Sequence, residues 1–161
     1  MAATAFPRLP PRFPPMSSQH AEQGRLVHVE QIPIRWGDMD AMQHVNNVNY
    51  FRYMEQARLG WIETLRDIIN AEGLGTVIVS TTCNYRKPLV YPGTVEVRVM
   101  IGRVGGSSVT TLYEMRLQGS DEVYADGSAV AVWINMKSGK AVRVPLGLRE
   151  RMGVAEAKEQ A

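Results

Sequence analysis

Cysteine is almost absent from this chain. Its 161 residues include one cysteine, Cys83, which excludes an intrachain disulfide. A lack of disulfides is typical of a reducing compartment, so we expect a cytoplasmic protein. A free cysteine is more often a small buried side chain than a nucleophile, and we interpret Cys83 in this way.

Long apolar runs and concentrated charge are also missing. No apolar stretch approaches the roughly 20 residues that a membrane-spanning helix needs, so we predict no membrane segment. The 18 basic and 16 acidic residues are mixed along the sequence and leave a net charge of +2. Because nucleic acids are bound by concentrated basic surfaces, we expect no nucleic-acid partner.

Proline is concentrated at the start of the chain. Such dense prolines cannot supply helix or strand hydrogen bonds, so residues 1–24 are predicted to be a disordered extension, and they lack the apolar run of a secretory signal. Met16 follows these prolines and is a hypothetical alternative start of translation. Residues 25–153 have the length of one domain, and residues 154–161 are predicted to fray.

Apolar spacing predicts one long helix. In residues 49–70 apolar side chains recur at intervals of three and four, which is the period of an amphipathic helix, here about 30 Å long. Gly60 within it costs helix stability, which indicates close backbone approach to another element.

Alternating apolar and polar residues predict strands on both sides of this helix. Residues 27–35 are predicted to form a first strand at a sheet edge, because Pro33 cannot donate a hydrogen bond. Four further strands are predicted at residues 76–85, 95–101, 109–117 and in a stretch ending near residue 136. We interpret these four as a meander of hairpins. An antiparallel sheet with one apolar face, packed on one apolar helix, gives an α+β fold.

Polar residues between the first strand and the helix are the strongest chemical signal. Residues 34–47 contain Asp38, Asp40, His44 and the amides of Asn46 and Asn47. A carboxylate beside the unpaired N–H groups of a helix start can attack a carbonyl or activate water, while those groups hold the oxyanion. The plainer interpretation is that Asp40 caps a turn or the helix.

Two other carboxylates leave alternatives open. On an extended chain Asp38 would point the same way as Asp40 and form an acid–base pair, but we favour a structural role in holding the loop. Glu55 is a second catalytic candidate, although an ion pair with Arg52 or Arg58 is a sufficient explanation of this residue. We predict no metal site, because the acidic and histidine ligands of this loop lack a second, distant pair.

Two sequence runs, RWGDMD at residues 35–40 and HVNNVNY at residues 44–50, resemble the signature of the hotdog-fold acyl thioesterases. They are most similar to the 4-hydroxybenzoyl-CoA thioesterase-like branch and to the plant acyl-ACP thioesterases. Weaker similarities follow in order and extend the resemblance over residues 26–152. The resemblance implies an antiparallel sheet of about five strands wrapped around one long helix. It also implies hydrolysis of an acyl-CoA thioester to free acid and CoA, without a cofactor.

The resemblance also implies roles for individual residues. Asp40 would act on the thioester carbonyl, either as nucleophile or as the base for water. His44 would lie in the site, and the backbone N–H of Asn47 would polarise the carbonyl. This chain has Met42 where the plant-type relatives have asparagine, so their three-residue set does not transfer as a whole. Another branch places its catalytic carboxylate on the helix, which keeps Glu55 as a candidate.

Substrate binding and assembly follow from the same resemblance. Relatives form homodimers or homotetramers whose active sites lie between subunits. Asp40 of one chain would then face Arg86, Lys87, Ser107 and Ser108 of the next, with basic residues meeting the CoA phosphates. Solvation alone explains the two basic residues nearly as well. The alternatives are an acyl-ACP thioesterase, a non-catalytic hotdog acyl-binding subunit, and a hydratase, which the lack of a helix histidine disfavours.

Overall fold

A computed structural model of the chain describes residues 24–154, and the predicted N-terminal extension and C-terminal tail lie outside these residues except at their inner ends. The strands are β1 (Arg25–Pro33), β2 (Leu74–Tyr85), β3 (Thr94–Val104), β4 (Ser108–Leu117) and β5 (Ala125–Asn135). The α-helices of the described part are α1 (Asn47–Glu63), α2 (Arg66–Ala71) and α3 (Leu146–Arg151). The predicted α+β class, with a five-stranded antiparallel sheet and a long helix, is confirmed.

The strand order is β1-β3-β4-β5-β2, and all neighbours are antiparallel. β1 lies at one edge, as Pro33 predicts. The predicted meander is correct for β3, β4 and β5 but wrong for β2, which pairs with β5 at the other edge. Residues 86–93 cross the end of the sheet instead of forming a tight turn. Alternation fixes the face that each side chain occupies, but it does not fix which strand lies next to which.

The predicted single helix over residues 49–70 is confirmed as far as Glu63 and wrong beyond it, because the chain breaks between α1 and α2. The Thr64 hydroxyl donates to the Trp61 carbonyl at 2.6 Å, and Leu65 has φ −110° and ψ 6°. A threonine that bonds a nearby carbonyl competes with regular helix hydrogen bonding. α1 therefore has 17 residues and a length of about 26 Å.

The helix α1 packs across one face of the sheet. Met54 and Ala57 contact the buried alternate residues of β3 and β4, including Val97 and Met115. At Gly60 the helix approaches β1 so closely that an added Cβ would lie 2.5 Å from His28 Nε2. The close approach expected from this glycine is confirmed.

One end of the sheet carries the N-terminus of α1. At this end Pro33 pairs with Thr94, and Tyr85 pairs with Ala125. The loop between β1 and α1 lies against residues 86–93 here, since the Val45 N–H donates to the Leu89 carbonyl at 2.9 Å. The polar residues singled out in the sequence are therefore gathered at this end.

Candidate active site

The loop between β1 and α1 begins with a short 3-10 helix, Trp36–Asp38. The Asp38 carboxylate accepts hydrogen bonds from the Arg35 N–H at 2.9 Å and from the Tyr53 hydroxyl at 2.8 Å, both on Oδ2. Because the chain turns at Asp38 instead of running extended, the argument for an acid–base pair with Asp40 fails. These bonds support the structural role of Asp38 in holding the loop.

The loop is also attached to the start of α1. The Asp38 carbonyl accepts hydrogen bonds from the Asn46 N–H at 2.8 Å and from the Asn49 side-chain amide at 2.9 Å. Asn46 caps the helix, since its side-chain oxygen accepts the Val48 N–H at 3.0 Å. Asp38 and the first turn of α1 are thereby joined into one unit.

Asp40 begins a narrow hairpin whose base is a bridge between Met39 and Val45. The Asp40 N–H donates to the His44 carbonyl at 2.8 Å. Asp40 Oδ1 accepts the Met42 N–H at 2.8 Å and, more weakly, the His44 N–H at 3.5 Å. The carboxylate does cap its own turn, as the plainer interpretation predicts, and this fixes its orientation. A catalytic role for the same carboxylate stays a prediction.

Asn47 is the exposed first residue of α1. Its N–H has no acceptor within the helix, and the helix dipole places partial positive charge there. Its carbonyl accepts a hydrogen bond from the Tyr85 hydroxyl at 3.3 Å, which links the end of β2 to the helix entrance. The structure thus places helix N–H groups next to the hairpin that carries Asp40.

Three tyrosines surround this entrance, and the sequence analysis gave none of them a role in the site. The Tyr50 hydroxyl accepts the Leu89 N–H at 3.1 Å, and its ring lies edge-on to the Tyr85 ring at 5.0 Å. Burial raises the pKa of Tyr50 and Tyr53, and for Tyr53 the hydrogen bond to Asp38 raises the pKa further. Both phenols therefore stay protonated near neutral pH. The sequence signal for Tyr50 was its place at the end of the HVNNVNY run.

Cys83 lies half-buried on β2. Burial raises the pKa of its thiol to about 11, so the thiol is protonated near neutral pH. Since the thiolate is the nucleophilic form of cysteine, this environment supports the interpretation of Cys83 as a structural residue.

Glu55 is exposed on α1, eight residues or about 12 Å along the helix from Asn47. Arg58 is buried and donates to the Tyr113 hydroxyl at 3.1 Å. Because Arg58 points into the core, it forms no ion pair with Glu55. Within residues 24–154 the expected alternative pair of Glu55 with Arg52 is not formed either. Within one chain Glu55 is not brought to the Asp40 hairpin.

Arg86 and Lys87 directly follow Tyr85 and so lie at the helix-entrance end of the sheet. Both side chains are paired within the chain. Arg86 Nε bonds the Asp126 carboxylate, and Lys87 Nζ lies 2.5 Å from Glu122 Oε1. The Lys87 pair is the more exposed of the two. Lys87 is therefore the basic residue more easily released to a ligand.

Ser107 ends the turn between β3 and β4, and Ser108 is the first residue of β4. This turn is at the opposite end of the sheet, where Ser108 pairs with Val132. The ten residues of β4 separate the two ends by about 30 Å. Within one chain the structure does not bring these serines to Asp40.

Comparison with known proteins identifies the group to which the chain is related. The sequence profile of the Thioesterase-like superfamily matches residues 34–152, which is most of the chain. The chain belongs to this superfamily. The matched span includes the Asp40 hairpin and every strand except β1.

Similar individual proteins support the assignment of this chain to the Thioesterase-like superfamily. Long-chain acyl-CoA thioesterase FadM from Escherichia coli K12 is 29% identical over 124 residues, which cover 76% of this chain and 94% of FadM. The solved structure of PA2801 from Pseudomonas aeruginosa is similar with a TM-score of 0.72 and 36% identity, covering 78% of this chain and 98% of PA2801. The BH1999 gentisyl-coenzyme A thioesterase is similar with a TM-score of 0.65 and 27% identity, covering 75% and 98%. The protein is a hotdog-fold thioester hydrolase.

Among residues 24–154 no group of three or more histidine, cysteine, aspartate or glutamate side chains is placed to hold a metal ion. None of the helices in this part is long and apolar enough to span a membrane.

Proposed function

We propose that this thioesterase hydrolyses acyl-CoA thioesters to a free carboxylic acid and CoA. The observation that carries the proposal is the attachment of the loop that contains Asp40 to the N-terminal end of α1, through hydrogen bonds to the Asp38 carbonyl. A thioester has a good leaving group, so its hydrolysis needs mainly positioning and a site for the oxyanion. FadM and BH1999 are both named for acyl-CoA substrates, which supports CoA as the carrier.

Asp40 performs the chemistry in one of two ways. As nucleophile, a carboxylate oxygen attacks the thioester carbon, the C–S bond breaks, and CoA departs as a thiolate. The acyl-aspartyl anhydride that remains is then hydrolysed by water. As general base, the carboxylate takes a proton from water, whose oxygen attacks the same carbon, and the departing thiolate receives a proton. Both routes consume one water and regenerate Asp40.

The oxyanion is held by the Asn47 N–H at the start of α1. Partial positive charge at a helix N-terminus stabilises the negative oxygen that forms in the transition state. His44 is the proposed neighbour of Asp40 in the site, because its backbone N–H and carbonyl both bond Asp40. Glu55 remains the second candidate carboxylate if Asp40 is not the catalytic one.

The CoA phosphates are proposed to bind Arg86 and Lys87. A phosphate would compete with the intrachain carboxylates, and it would displace Glu122 from the exposed Lys87 pair more easily than Asp126 from Arg86. Phosphate groups carry more charge than a single carboxylate, which favours the exchange.

The working assembly is proposed to be a homodimer or homotetramer. β2 is an edge strand of 12 residues on which Val77 and Val79 are 46% and 61% exposed. Proteins cover or pair such apolar edges. Ser107 and Ser108 lie far from Asp40 of their own chain, so they contribute to a site only as residues of a second chain.

A panel of thioesters tests the proposed substrate class. It should contain saturated acyl-CoAs of increasing chain length, hydroxyaryl-CoAs, and an acyl-ACP, with thiol release as the readout. We expect turnover of at least one acyl-CoA series without added metal. Hydrolysis of acyl-ACP alone would instead support the acyl-ACP alternative, and no hydrolysis of any thioester would support a non-catalytic acyl-binding subunit.

A further inference from the structure

Asp38 collects hydrogen bonds from two directions. From the loop, the Arg35 N–H donates to the Asp38 carboxylate. From the helix cap, the Asn46 N–H donates to the Asp38 carbonyl. From α1, the Tyr53 hydroxyl donates to the carboxylate and the Asn49 side-chain amide donates to the carbonyl. The residue two positions before Asp40 is therefore bonded both to the loop and to the body of the helix.

Tyr53 and Asn49 lie one helical turn apart. Residues four apart occupy the same face of a helix, so α1 presents a phenol and an amide side by side toward the loop. The Tyr53 hydroxyl lies 2.8 Å from Asp38 Oδ2, and Asn49 Nδ2 lies 2.9 Å from the Asp38 carbonyl oxygen. Together these two donors fix the distance and the rotation of the loop relative to the helix axis.

We propose that Tyr53 is a positioning residue for thioester hydrolysis. By holding Asp38, it places the Asp40 carboxylate next to the N-terminus of α1. This inference rests on the proposed function, because it assigns the reaction to Asp40. Tyr53 does not touch the reacting atoms; it acts through Asp38 and the loop. Misplacement of a reacting group by about 1 Å can cost up to about 100-fold in rate, so such a device has a measurable effect.

The surroundings of Tyr53 suit this role. Tyr53 is 5% exposed, so its ring is held among core residues while its hydroxyl reaches the part-buried Asp38 carboxylate. Burial, followed by the bond to Asp38, raises the pKa of Tyr53, and the phenol remains a donor throughout the neutral range. The Tyr53 hydroxyl is therefore available as the donor in this contact at neutral pH.

The test compares Tyr53→Phe with Tyr113→Phe. Tyr113 is an equally buried tyrosine at the interface of α1 with the sheet, and its hydroxyl bonds Arg58 and Thr111, away from the loop. We expect Tyr53→Phe to lower kcat by about tenfold with KM within about twofold of wild type. Tyr113→Phe should leave kcat within about twofold, when both are measured well below their Tm.

A second experiment combines Tyr53→Phe with the Asp40→Asn substitution. In an Asp40→Asn background, Tyr53→Phe should cause no further loss of kcat, because a positioning residue has no effect once the group it positions is gone. Equal kcat losses for Tyr53→Phe and Tyr113→Phe, or a tenfold loss that persists in the Asp40→Asn background, would overturn the inference. If Tyr53→Phe does not fold, Asn49→Ala replaces it, with the same expected direction and the same decisive outcomes.

Failure of this inference is distinguishable from failure of the proposed function. If the wild-type protein hydrolyses no acyl-CoA, the proposed function fails and the inference fails with it. If Asp40→Asn retains full turnover, acyl-CoA hydrolysis stands, but the assignment of the chemistry to Asp40 fails and the inference fails with that assignment. If both hold but Tyr53→Phe behaves like the Tyr113 control, only the positioning role is rejected.

Discussion

At the scale of single residues, the Asp40 carboxylate both stabilises its own turn and lies at the entrance of α1. Its Oδ1 is bonded to backbone N–H groups of the hairpin, which fixes the orientation of the side chain within the hairpin. Capping and catalysis are therefore compatible uses of this residue. An oriented carboxylate is what attack on a thioester requires.

Removal of the His44 side chain is predicted to lower kcat less than the Asp40→Asn substitution does. In His44→Ala the backbone N–H and carbonyl that bond Asp40 are retained, so the hairpin should keep its shape. We expect kcat to fall by about tenfold, less than for Asp40→Asn. Steady-state kcat values for the two variants, measured side by side, check this. Equal losses would show instead that the two side chains act as one catalytic unit.

At the scale of elements, the start of α1 depends on its cap. Asn46→Ala removes the acceptor for the Val48 N–H and is predicted to lower the free energy of unfolding by about 1 kcal/mol. Asn46→Asp keeps an acceptor oxygen and should retain most of this stability. Urea unfolding at one fixed protein concentration measures both. Equal stability of the alanine and wild-type proteins would contradict the capping role.

The elements also show how far the sequence predicted the structure. Side-chain period alone identified the inward faces of β3 and β4, where Val97 and Met115 are fully buried, because a strand buries every second residue. It did not identify β5 as the neighbour of β2, since pairing depends on where residues 86–93 cross the sheet. It also missed the break at Thr64, which arises from one local side-chain hydrogen bond.

The site was predicted only in part, for a related reason. Asp40, His44 and Asn47 are close in sequence, so a local motif located them together. The role of Tyr53 could not be predicted, since its partner Asp38 is 15 positions away and the contact exists only in the folded chain. Residue type and spacing show which groups are available, while tertiary contacts decide which of them meet.

At the scale of the whole molecule, the proposed assembly makes activity depend on concentration. If Ser107, Ser108 or the basic residues of a second chain complete the site, dissociation removes part of the substrate-binding surface. We predict that specific activity falls on dilution in step with loss of the dimer. Light scattering and thiol release on the same dilution series measure the two quantities. A fully active monomer at micromolar concentration would reject the shared site.

Asp40 is proposed to carry out thioester hydrolysis at the entrance of α1. The most direct test is kcat for Asp40→Asn with the best acyl-CoA found for the wild-type protein, followed by thiol release. Because asparagine retains the shape and an acceptor oxygen but is neither nucleophile nor base, we predict that the fold survives and that kcat falls by at least about 100-fold. A folded Asp40→Asn protein with near wild-type kcat would contradict the account and would move the chemistry to Glu55 or another group.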